Sequence, residues 1–394
     1  MLKERYLSPN IFKDLKEKMV FIGGPRQVGK TTLAHHLIGQ NFSQVAYFNW
    51  DFGPDRKKIL NMEFSPETEL LVFDEIHKYS QWKTYLKGLY DKKGKEYRIL
   101  VTGSARLDIY RRGGDSLMGR NFYYRLHPFS MAEFMGRRHS IDIKKPLSFP
   151  KSSAEEKTCF DSLFKFGGFP EPLLKQDESF IRRWQQMRME TLLRVDIRDL
   201  EVIKDFSKLT ILAEILPERA AALLSLNSLT EDLSVAHKTV NHWLDILENF
   251  YYHFRVYPFT RSPLKSMKKM PKVYLWDWSQ VEKSEGARLE NMVACHLLKL
   301  CHFMHDAEGY PAALYYLRDL EGREIDFLVA LGNKPPWMLV EVKAQEKDIS
   351  KTMRYFVSRM EVLQAFQVVL PHGVDYQKDG IRVVSASRFL SALI

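Results

Sequence analysis

The stretch Gly24-Pro25-Arg26-Gln27-Val28-Gly29-Lys30-Thr31 decides the class of fold of this chain. It fits the pattern G-x-x-x-x-G-K-[ST] at every position, follows the apolar run Met19–Gly23 and begins a predicted helix, Thr31–Ile38. In such a unit, glycines let the backbone approach phosphate oxygens, and the loop amides and helix N-terminus face the negative charge. The lysine reaches the β- and γ-phosphates, and the threonine hydroxyl ligates Mg²⁺. The sequence therefore predicts a nucleoside triphosphate site formed by this stretch and Thr32.

Short apolar runs alternate with helical patterns over the first part of the chain. Four of these runs are short and apolar enough to be buried strands: Met19–Gly23, Gln44–Asn49, Leu70–Asp74 and Ile99–Thr102. Alternation of this kind favours an α/β fold with a parallel sheet. A basic, proline-containing stretch near 145 and a return of strands near 275 predict domains at 1–145, 146–275 and 276–394, the middle one mostly helical.

Two carboxylates follow the third predicted strand. Asp74 and Glu75 stand at its C-terminal end, where ligands bind in open α/β sheets. Asp74 can hold the Mg²⁺ shell, and Glu75 can orient or deprotonate the attacking water. The fourth strand ends in hydroxyl groups, so Thr102 or Ser104 is a further candidate contact for the γ-phosphate or the water.

An arginine-rich stretch follows the fourth strand and is expected beside the nucleotide. One of its members is expected to stabilise transition-state charge, either in its own subunit or from a neighbouring one. The candidates are Arg106, Arg111, Arg112, Arg120 and Arg125.

Four motifs together resemble the prokaryotic AAA-type P-loop ATPases, a branch of the AAA+ superfamily. They are GPRQVGKTT at 24–32, LLVFDEIHK at 70–78, ILVTGSA at 99–105 and LMGRNFYYRLHPFSMAEF at 117–134. The resemblance covers essentially the whole chain, including GGFPEPLL after the ATPase region. It implies ATP and Mg²⁺ as cofactors, Lys30 and Thr31 as their ligands, Asp74 and Glu75 as the second motif, and Arg120 as the arginine finger. A finger that acts on a neighbour needs at least a dimer, so a homo-oligomer is also implied as an option.

The middle of the chain contains a helix–turn–helix pattern. After an apolar-periodic helix at Leu209–Leu224, Ser228 and Glu231 form a predicted capping box, and a second helix starts near Ala236. The spacing resembles a winged helix, with the second helix as the recognition helix for DNA. Its exposed face is expected to carry His237, Lys238, Asn241 and His242.

A strand at Phe250–Tyr257 is expected to begin the wing, and a basic loop follows it. No Asp or Glu occurs between residues 261 and 272, which favours contact with a phosphate backbone. The basic residues are Arg261, Lys265, Lys268, Lys269 and Lys272. The alternative is that this module only packs against the flanking domains, because basic loops are usually just solvated.

Two acids and a lysine stand out in the C-terminal region. Asp326 lies in the strand pattern Glu324–Val329, and Glu341 and Lys343 end a second one. Glu341 and Lys343 share a face of their strand, because side chains alternate along it. Two carboxylates beside a lysine can hold Mg²⁺, activate water and stabilise a charged phosphorus centre.

This set resembles the PD-(D/E)xK restriction-endonuclease-like core, an α/β fold. The resemblance implies Asp326 and Glu341 as ligands of Mg²⁺ or Mn²⁺, Lys343 as a catalytic partner and Glu290 as a helical acid. The leading hypothesis is therefore an ATP-dependent DNA-binding and DNA-processing protein with a metal-dependent nuclease domain. One alternative is a DNA-stimulated sensing or scaffolding ATPase with a degenerate nuclease fold, and another is an ATPase that acts on protein.

The composition is that of a globular chain with a surplus of positive charge. Of 394 residues 45% are hydrophobic, and 59 Lys and Arg against 49 Asp and Glu give a formal net charge of +10. Such a surplus permits a nucleic-acid partner but does not establish one. No apolar run approaches the roughly 20 residues that cross a bilayer. The sparse cysteines Cys159, Cys295 and Cys301 favour a reducing compartment, so a cytoplasmic protein without a membrane partner is expected.

Overall fold

The chain folds into two compact units in a computed structural model. The structure describes residues 3–103, 117–149, 151, 153–198, 203–260, 266–267, 269–332, 334–345 and 348–394. The first unit comprises Met1–His127 and Asp306–Glu308, and the second comprises Pro128–His305 and Gly309–Ile394.

The first unit is built on a five-stranded sheet in the order β2-β3-β4-β1-β5. Every neighbouring pair of strands is parallel. The bounds are β1 Met19–Gly23, β2 Val45–Asn49, β3 Leu70–Asp74, β4 Arg98–Thr102 and β5 Asn121–Arg125. The predicted parallel α/β sheet is confirmed, and each of the four predicted strands lies within one residue of its expected bounds.

Helices alternate with these strands along the chain. They are α1 Ser8–Asp14, α2 Lys30–Thr32, α3 Gly53–Asn61 and α4 Trp82–Lys93. After α2 the chain continues directly as a π-helical segment, Leu33–Ile38, so the helical stretch after the loop begins one residue before the predicted position. β1 and β3 are buried at every position, as expected for central strands of a parallel sheet covered on both faces.

The parallel register places the predicted nucleotide residues at one edge of this sheet. Asp74, the last residue of β3, is paired in register with Thr102, the last residue of β4. Thr102 is also paired with Ile22, next to the end of β1 at Gly23. The loop after β1, the acids after β3 and the hydroxyl after β4 therefore meet where open α/β sheets bind ligands.

The second unit carries an eight-stranded sheet in the order β12-β13-β11-β10-β9-β8-β6-β7. The bounds are β6 His253–Pro258, β7 Lys272–Leu275, β8 Ala312–Arg318, β9 Glu324–Leu331, β10 Met338–Lys343, β11 Gln364–Val369, β12 Asp375–Lys378 and β13 Ile381–Ser385. β9 and β10 pair antiparallel, as expected for the hairpin that carries Asp326 and Glu341. β10 and β11 pair parallel, so the sheet is mixed.

Helices of the second unit precede and cover this sheet. They are α5 Met131–Phe134, α6 Glu155–Phe166, α7 Pro170–Lys175, α8 Glu178–Thr191, α9 Phe206–Ile215, α10 Leu226–Leu233, α11 His237–Asn249, α12 Glu285–Asp306, α13 Lys351–Val357 and α14 Ala386–Ser391. Met353 and Phe356 of α13 pack with Leu328, Leu339 and Val383 in one apolar cluster against the sheet.

Two details of the middle segment differ from prediction. The helix expected at Leu209–Leu224 ends at Ile215, because Pro217 has no N–H for the backbone ladder and restricts the residue before it. The cap of α10 is Ser225, whose Oγ accepts a hydrogen bond from the Ser228 N–H, so the predicted cap is displaced by one turn. The second helix does begin at His237, directly after Ala236.

The strand expected in the wing belongs to the large sheet. β6 pairs antiparallel with β7 and parallel with β8. These strands therefore do not form a separate wing. The three-domain division stays a prediction, because β6 and β7 precede its boundary at 275 yet share a sheet with the strands that follow it.

Candidate functional site

The loop after β1 has a backbone that requires glycine. Gly24 has φ +137°, and a Cβ there would lie 2.4 Å from the carbonyl oxygen of Leu126. Gly29, at the start of α2, has φ +95°. Residues with a side chain rarely adopt such angles, so these glycines hold the chain in the tight turn that directs backbone amides inward.

Lys30 lies over this loop and is only 8% exposed. Its Nζ donates hydrogen bonds to the carbonyl oxygens of Gly24 (2.9 Å) and Pro25 (2.7 Å). The ammonium is therefore held within the loop, where it can meet phosphate oxygens.

Asp74 is anchored through both oxygens of its carboxylate. Thr102 Oγ1 donates to Oδ1 at 2.7 Å, while Thr31 Oγ1 and the Tyr47 hydroxyl donate to Oδ2 at 2.9 and 2.7 Å. Burial, together with the Asp74 carboxylate, raises the pKa of Tyr47, so the phenol stays a donor. No sequence pattern singled out Tyr47, although its place on β2, beside β3, puts it within reach of Asp74.

Glu75 has the left-handed backbone conformation, with φ +57°, directly after β3. His77 Nε2 and Lys78 Nζ approach its Oε2 to 3.4 and 3.7 Å, and no described residue donates a hydrogen bond to that oxygen. Burial raises the pKa of Glu75, and the nearby charges of Lys30 and Lys78 oppose this shift. A buried carboxylate with an accepting oxygen is suited to take a proton from water.

These residues fit ATP and Mg²⁺. The loop and Lys30 would hold the phosphates, and the Thr31 hydroxyl and the Asp74 carboxylate are oxygen ligands of the kind that Mg²⁺ prefers. Arg26, Gln27, Val28 and Thr32 complete the predicted set at positions within or just after the loop. Ser104 lies outside the described residues.

Arg120 lies at the amino-terminal ends of the strands, whereas the phosphate loop lies at their carboxyl-terminal ends. It precedes β5, and its carbonyl oxygen accepts a hydrogen bond from the Met19 N–H at the start of β1. Its guanidinium donates to both oxygens of Asp91, at 2.7 and 3.1 Å. β1 separates Arg120 from the loop of its own subunit, so of the two predicted modes of action only action on a neighbouring subunit is compatible with this position.

Arg125 lies at the same end of the sheet as the phosphate loop, where it is paired in register with Gly23. Its guanidinium makes a bidentate ion pair with Asp306 at 2.9 and 2.8 Å. Arg106, Arg111 and Arg112 lie outside the described residues.

The helix–turn–helix presents part of its predicted DNA face to solvent. His237, Lys238 and His242 are exposed at the start of α11, and Asn241 is half-buried and donates to Asp245 at 3.3 Å. Lys269 is exposed, whereas Arg261, Lys265 and Lys268 lie outside the described residues.

A cavity of about 280 Å³ joins the two predicted DNA-contacting groups. His237 and Asn241 of α11 line one side, and Met267 and Lys269 line another. Arg255 and Tyr257 of β6 also line the cavity. The predicted recognition helix α11 and the described part of the basic loop thus face a common recess.

Lys272 is not part of an exposed basic loop. It begins β7, is 4% exposed and forms ion pairs with Glu290, Glu324 and Asp326. The expectation that it contacts DNA is therefore wrong: its charge is directed into the protein, toward acids that include the predicted metal ligand Asp326.

The predicted metal ligands Asp326 and Glu341 do not form a metal site with a third ligand. Among the described residues, no group of three or more His, Cys, Asp or Glu side chains is placed to hold a metal ion. Glu341 is buried and pairs with Lys343 at 2.7 Å, so these two do share a face as predicted. Because Lys272 pairs with Asp326 and Lys343 pairs with Glu341, the residues present do not fit the implied Mg²⁺ or Mn²⁺.

A family described as AAA domain matches residues 16–135. Together with the parallel sheet and the phosphate loop, this match supports an AAA-type P-loop fold for the first unit. It is followed by matches to two families described only as domains of unknown function, DUF8612 at 158–283 and DUF4143 at 285–389.

Relatives match this chain well beyond the AAA domain. The uncharacterized protein MJ1544 of Methanocaldococcus jannaschii is 24% identical over 343 residues, which cover 82% of this chain and 74% of that protein. The uncharacterized protein Rv2008c of Mycobacterium tuberculosis is 24% identical over 352 residues, covering 85% and 73%.

Two solved structures are more distant. The Thermotoga maritima RuvB Holliday junction branch migration motor has 17% identity and a TM-score of 0.29, covering 67% of this chain and 92% of that one. The Aeropyrum pernix ORC1 protein in complex with DNA has 12% identity and a TM-score of 0.33, covering 75% and 94%. Likenesses this weak do not establish a shared overall fold.

In the part of the chain that the structure describes, no helix has both the length and the apolar character needed to cross a membrane.

Proposed function

We propose that this chain hydrolyses ATP in its AAA domain and uses the nucleotide state to control DNA binding by the helix–turn–helix of the second unit. The ATPase part of this proposal is supported by the hydrogen bonds that Thr31, Tyr47 and Thr102 donate to Asp74 beside the phosphate loop. A carboxylate held this way, next to a threonine that can share its ligand, is organised for Mg²⁺–ATP.

Each residue of the site has a role in hydrolysis. Lys30 neutralises phosphate charge, and Thr31 and Asp74 hold the Mg²⁺ shell. Bound Mg²⁺ would supply charge stabilisation for the leaving phosphate. Glu75 accepts the proton of the water that attacks the γ-phosphorus, and its buried environment favours the proton-bound form after the transfer.

The DNA half of the proposal is supported by the recess at α11. His237, Asn241 and Lys269 line one cavity, although the whole of β6 separates the helix from the lysine along the chain. Lys238 and His242 are exposed on the same helix. Cationic and hydrogen-bonding side chains on a second helix are the groups that contact phosphates and base edges.

DNA cleavage is not part of the proposed function. The acids that the nuclease hypothesis requires are paired with Lys272 and Lys343, which favours the alternative of a DNA-responsive ATPase that cuts nothing. An ATPase acting on protein remains the other alternative, and it predicts no stimulation by DNA at any salt concentration.

The ATPase half is tested by steady-state turnover of ATP with Mg²⁺. We expect measurable hydrolysis in the parent protein and its loss in Lys30→Ala and Glu75→Gln. Glu75→Gln should still bind a fluorescent ATP analogue, because the amide keeps the shape of the side chain but cannot accept the proton. Equal turnover in all three proteins would contradict the assignment.

The DNA half is tested by fluorescence anisotropy with duplex, branched and single-stranded DNA. The double variant Lys238→Glu/His242→Glu and the single variant Lys269→Glu should weaken binding at least tenfold and leave basal ATP turnover intact. Lys378→Glu on β12, an exposed lysine at the other edge of the large sheet, is the matched control. Binding should fall steeply as salt rises. Binding that is unchanged in both the Lys238→Glu/His242→Glu and the Lys269→Glu variants contradicts the proposed interface.

A further inference from the structure

We propose that Lys272 serves as a permanent internal cation for the acid cluster Glu290, Glu324 and Asp326, in place of the divalent metal that a nuclease core would hold there. The proposal depends neither on ATP hydrolysis nor on DNA binding. It concerns what the C-terminal sheet can bind.

One ammonium contacts all three acids of the cluster. Lys272 Nζ lies 3.0 Å from Glu290 Oε1, 2.8 Å from Glu324 Oε1 and 3.3 Å from Asp326 Oδ1. The three acids come from α12 and from the start of β9, whereas the lysine comes from β7. The fold therefore places the ammonium of β7 where carboxylates from α12 and β9 lie close together.

Other donors also contact the acid cluster. The Tyr274 hydroxyl, on the same face of β7 as Lys272, donates to Glu290 Oε1 at 2.8 Å. Arg318 Nη1 lies 3.2 Å from Glu324 Oε2. The cluster thus holds cations and donors supplied by the protein itself.

The oxygens that would ligate a metal are all engaged by protein groups. Asp326 Oδ1 faces Lys272, and Oδ2 accepts the Val342 N–H at 2.8 Å. Glu341 Oε1 faces Lys343 Nζ at 2.7 Å, and Oε2 accepts the Ser350 hydroxyl at 2.5 Å. A divalent ion would have to share these oxygens with the donors already bound to them, and on each carboxylate one of those donors is a lysine ammonium.

The ammonium is also enclosed together with the carboxylates. Lys272 is only 4% exposed, and oxygens of Glu290, Glu324 and Asp326 lie within 3.3 Å of its Nζ. A metal would therefore meet a positive charge that competes for the same carboxylates.

The consequence is a sheet that keeps the acids of a nuclease core without being able to activate water through a metal. Lys272 is buried and lies at an edge strand of the eight-stranded sheet, so its ion pairs also tie β7 to β9 and α12. The acid cluster acts as a structural link between these elements.

The test is Mn²⁺ binding by the full chain without nucleotide, measured by electron paramagnetic resonance of free Mn²⁺. We expect the parent protein and Asp326→Asn to give the same titration. Lys272→Met should gain one Mn²⁺ site at least tenfold tighter than any in the parent, and the double variant Lys272→Met/Asp326→Asn should lose it again. Circular dichroism establishes that each variant is folded.

Two outcomes overturn the proposal. A Mn²⁺ site in the parent protein that disappears in Asp326→Asn shows that Lys272 does not exclude the metal, and this comparison stands even if Lys272→Met does not fold. A folded Lys272→Met protein that gains no Mn²⁺ site shows that the acids cannot hold a metal for a reason other than the lysine.

Discussion

Asp74 illustrates how a single side chain is fixed for a chemical task. Thr102 is the donor to its Oδ1, and Thr102 is fully buried. A hydrogen bond to a charged group contributes about 1.5–3 kcal/mol. Loss of that donor should let the carboxylate turn away from the position that Mg²⁺ requires.

Thr102→Val should therefore lower kcat for ATP hydrolysis about tenfold and raise the Mg²⁺ concentration needed for half-maximal turnover. Tyr47→Phe should have a smaller effect, because Thr31 still donates to Oδ2. Thr68→Val, at another buried threonine of the first unit, is the control and should change neither quantity. An unaltered Mg²⁺ dependence in Thr102→Val would count against this role.

Gly24 shows a backbone constraint at the same scale. Gly24→Ala places a methyl group 2.4 Å from the Leu126 carbonyl oxygen at a φ of +137°, which should cost roughly 1–3 kcal/mol of unfolding free energy or distort the loop. We expect a lower Tm and weaker binding of an ATP analogue.

Gly88→Ala is the opposite case and the control for Gly24→Ala. Gly88 lies inside α4, and outside its own stretch of helix no described atom lies within 4 Å of the position that an alanine methyl group would take, so the alanine should stabilise the protein by about 0.5–1 kcal/mol. Equal thermal shifts for the two variants would contradict the assigned difference in backbone strain.

At the scale of elements, two buried histidines connect helices and strands in their neutral form. His296 on α12 accepts the Met131 N–H of α5 through Nε2 at 3.0 Å, while its Nδ1 bonds the Met292 carbonyl oxygen. His253 on β6 bonds the Leu244 carbonyl oxygen. Burial lowers the pKa of each to about 3.

The sign of the resulting pH dependence follows from linkage. Below the ordinary histidine pKa of about 6.5, the unfolded chain binds protons at these positions and the folded chain does not. Stability is therefore full above pH 6.5 and falls as the pH drops toward 3, by about 1.4 kcal/mol per pH unit for each histidine.

Denaturant unfolding at pH 7.5, 6.5 and 5.5 should show this loss. His253→Gln should remove about half of the histidine-dependent loss, since its side chain does not titrate. His242→Gln, at an exposed histidine of α11, should leave the pH dependence unchanged. A parent protein with the same stability at pH 5.5 and 7.5 would exclude the linkage.

At the scale of the whole molecule, Arg120 bears on assembly. It lies just before β5, at the amino-terminal ends of the strands, whereas the phosphate loop lies at their carboxyl-terminal ends. An arginine finger at this position must therefore act on a neighbouring subunit. We therefore propose that the active ATPase is a homo-oligomer.

Mixing two inactive variants tests this assembly. Arg120→Ala should lower ATP turnover by about 1,000-fold, the lower range for an arginine finger, and Lys30→Ala should abolish it. A mixture of the two should regain activity, because some interfaces combine an intact loop with an intact arginine. Arg98→Ala, at another arginine of the same sheet, is the control. A mixture as inactive as its components would contradict action between subunits.

Local patterns were sufficient to predict the P-loop fold of the first unit. The glycines and lysine of the loop, the buried runs of β1, β3 and β4, and the acids after β3 each form a short continuous stretch, and their spacing specifies one strand–loop–helix geometry. The match of residues 16–135 to the AAA domain family agrees with that prediction. The role of Tyr47 could not be predicted from local patterns, because its hydrogen bond to Asp74 depends on the pairing of β2 with β3.

The sequence by itself determined the phosphate loop and the parallel sheet of the first unit, because a phosphate loop is a local backbone structure formed by consecutive residues. Only the tertiary structure decided the role of Lys272. In the sequence it is one more lysine of a basic run, and in the fold β7 places it against acids distant in the chain. The direction of a long side chain is set by the strand that carries it and by the charges packed nearby, and neither is visible in a charge count.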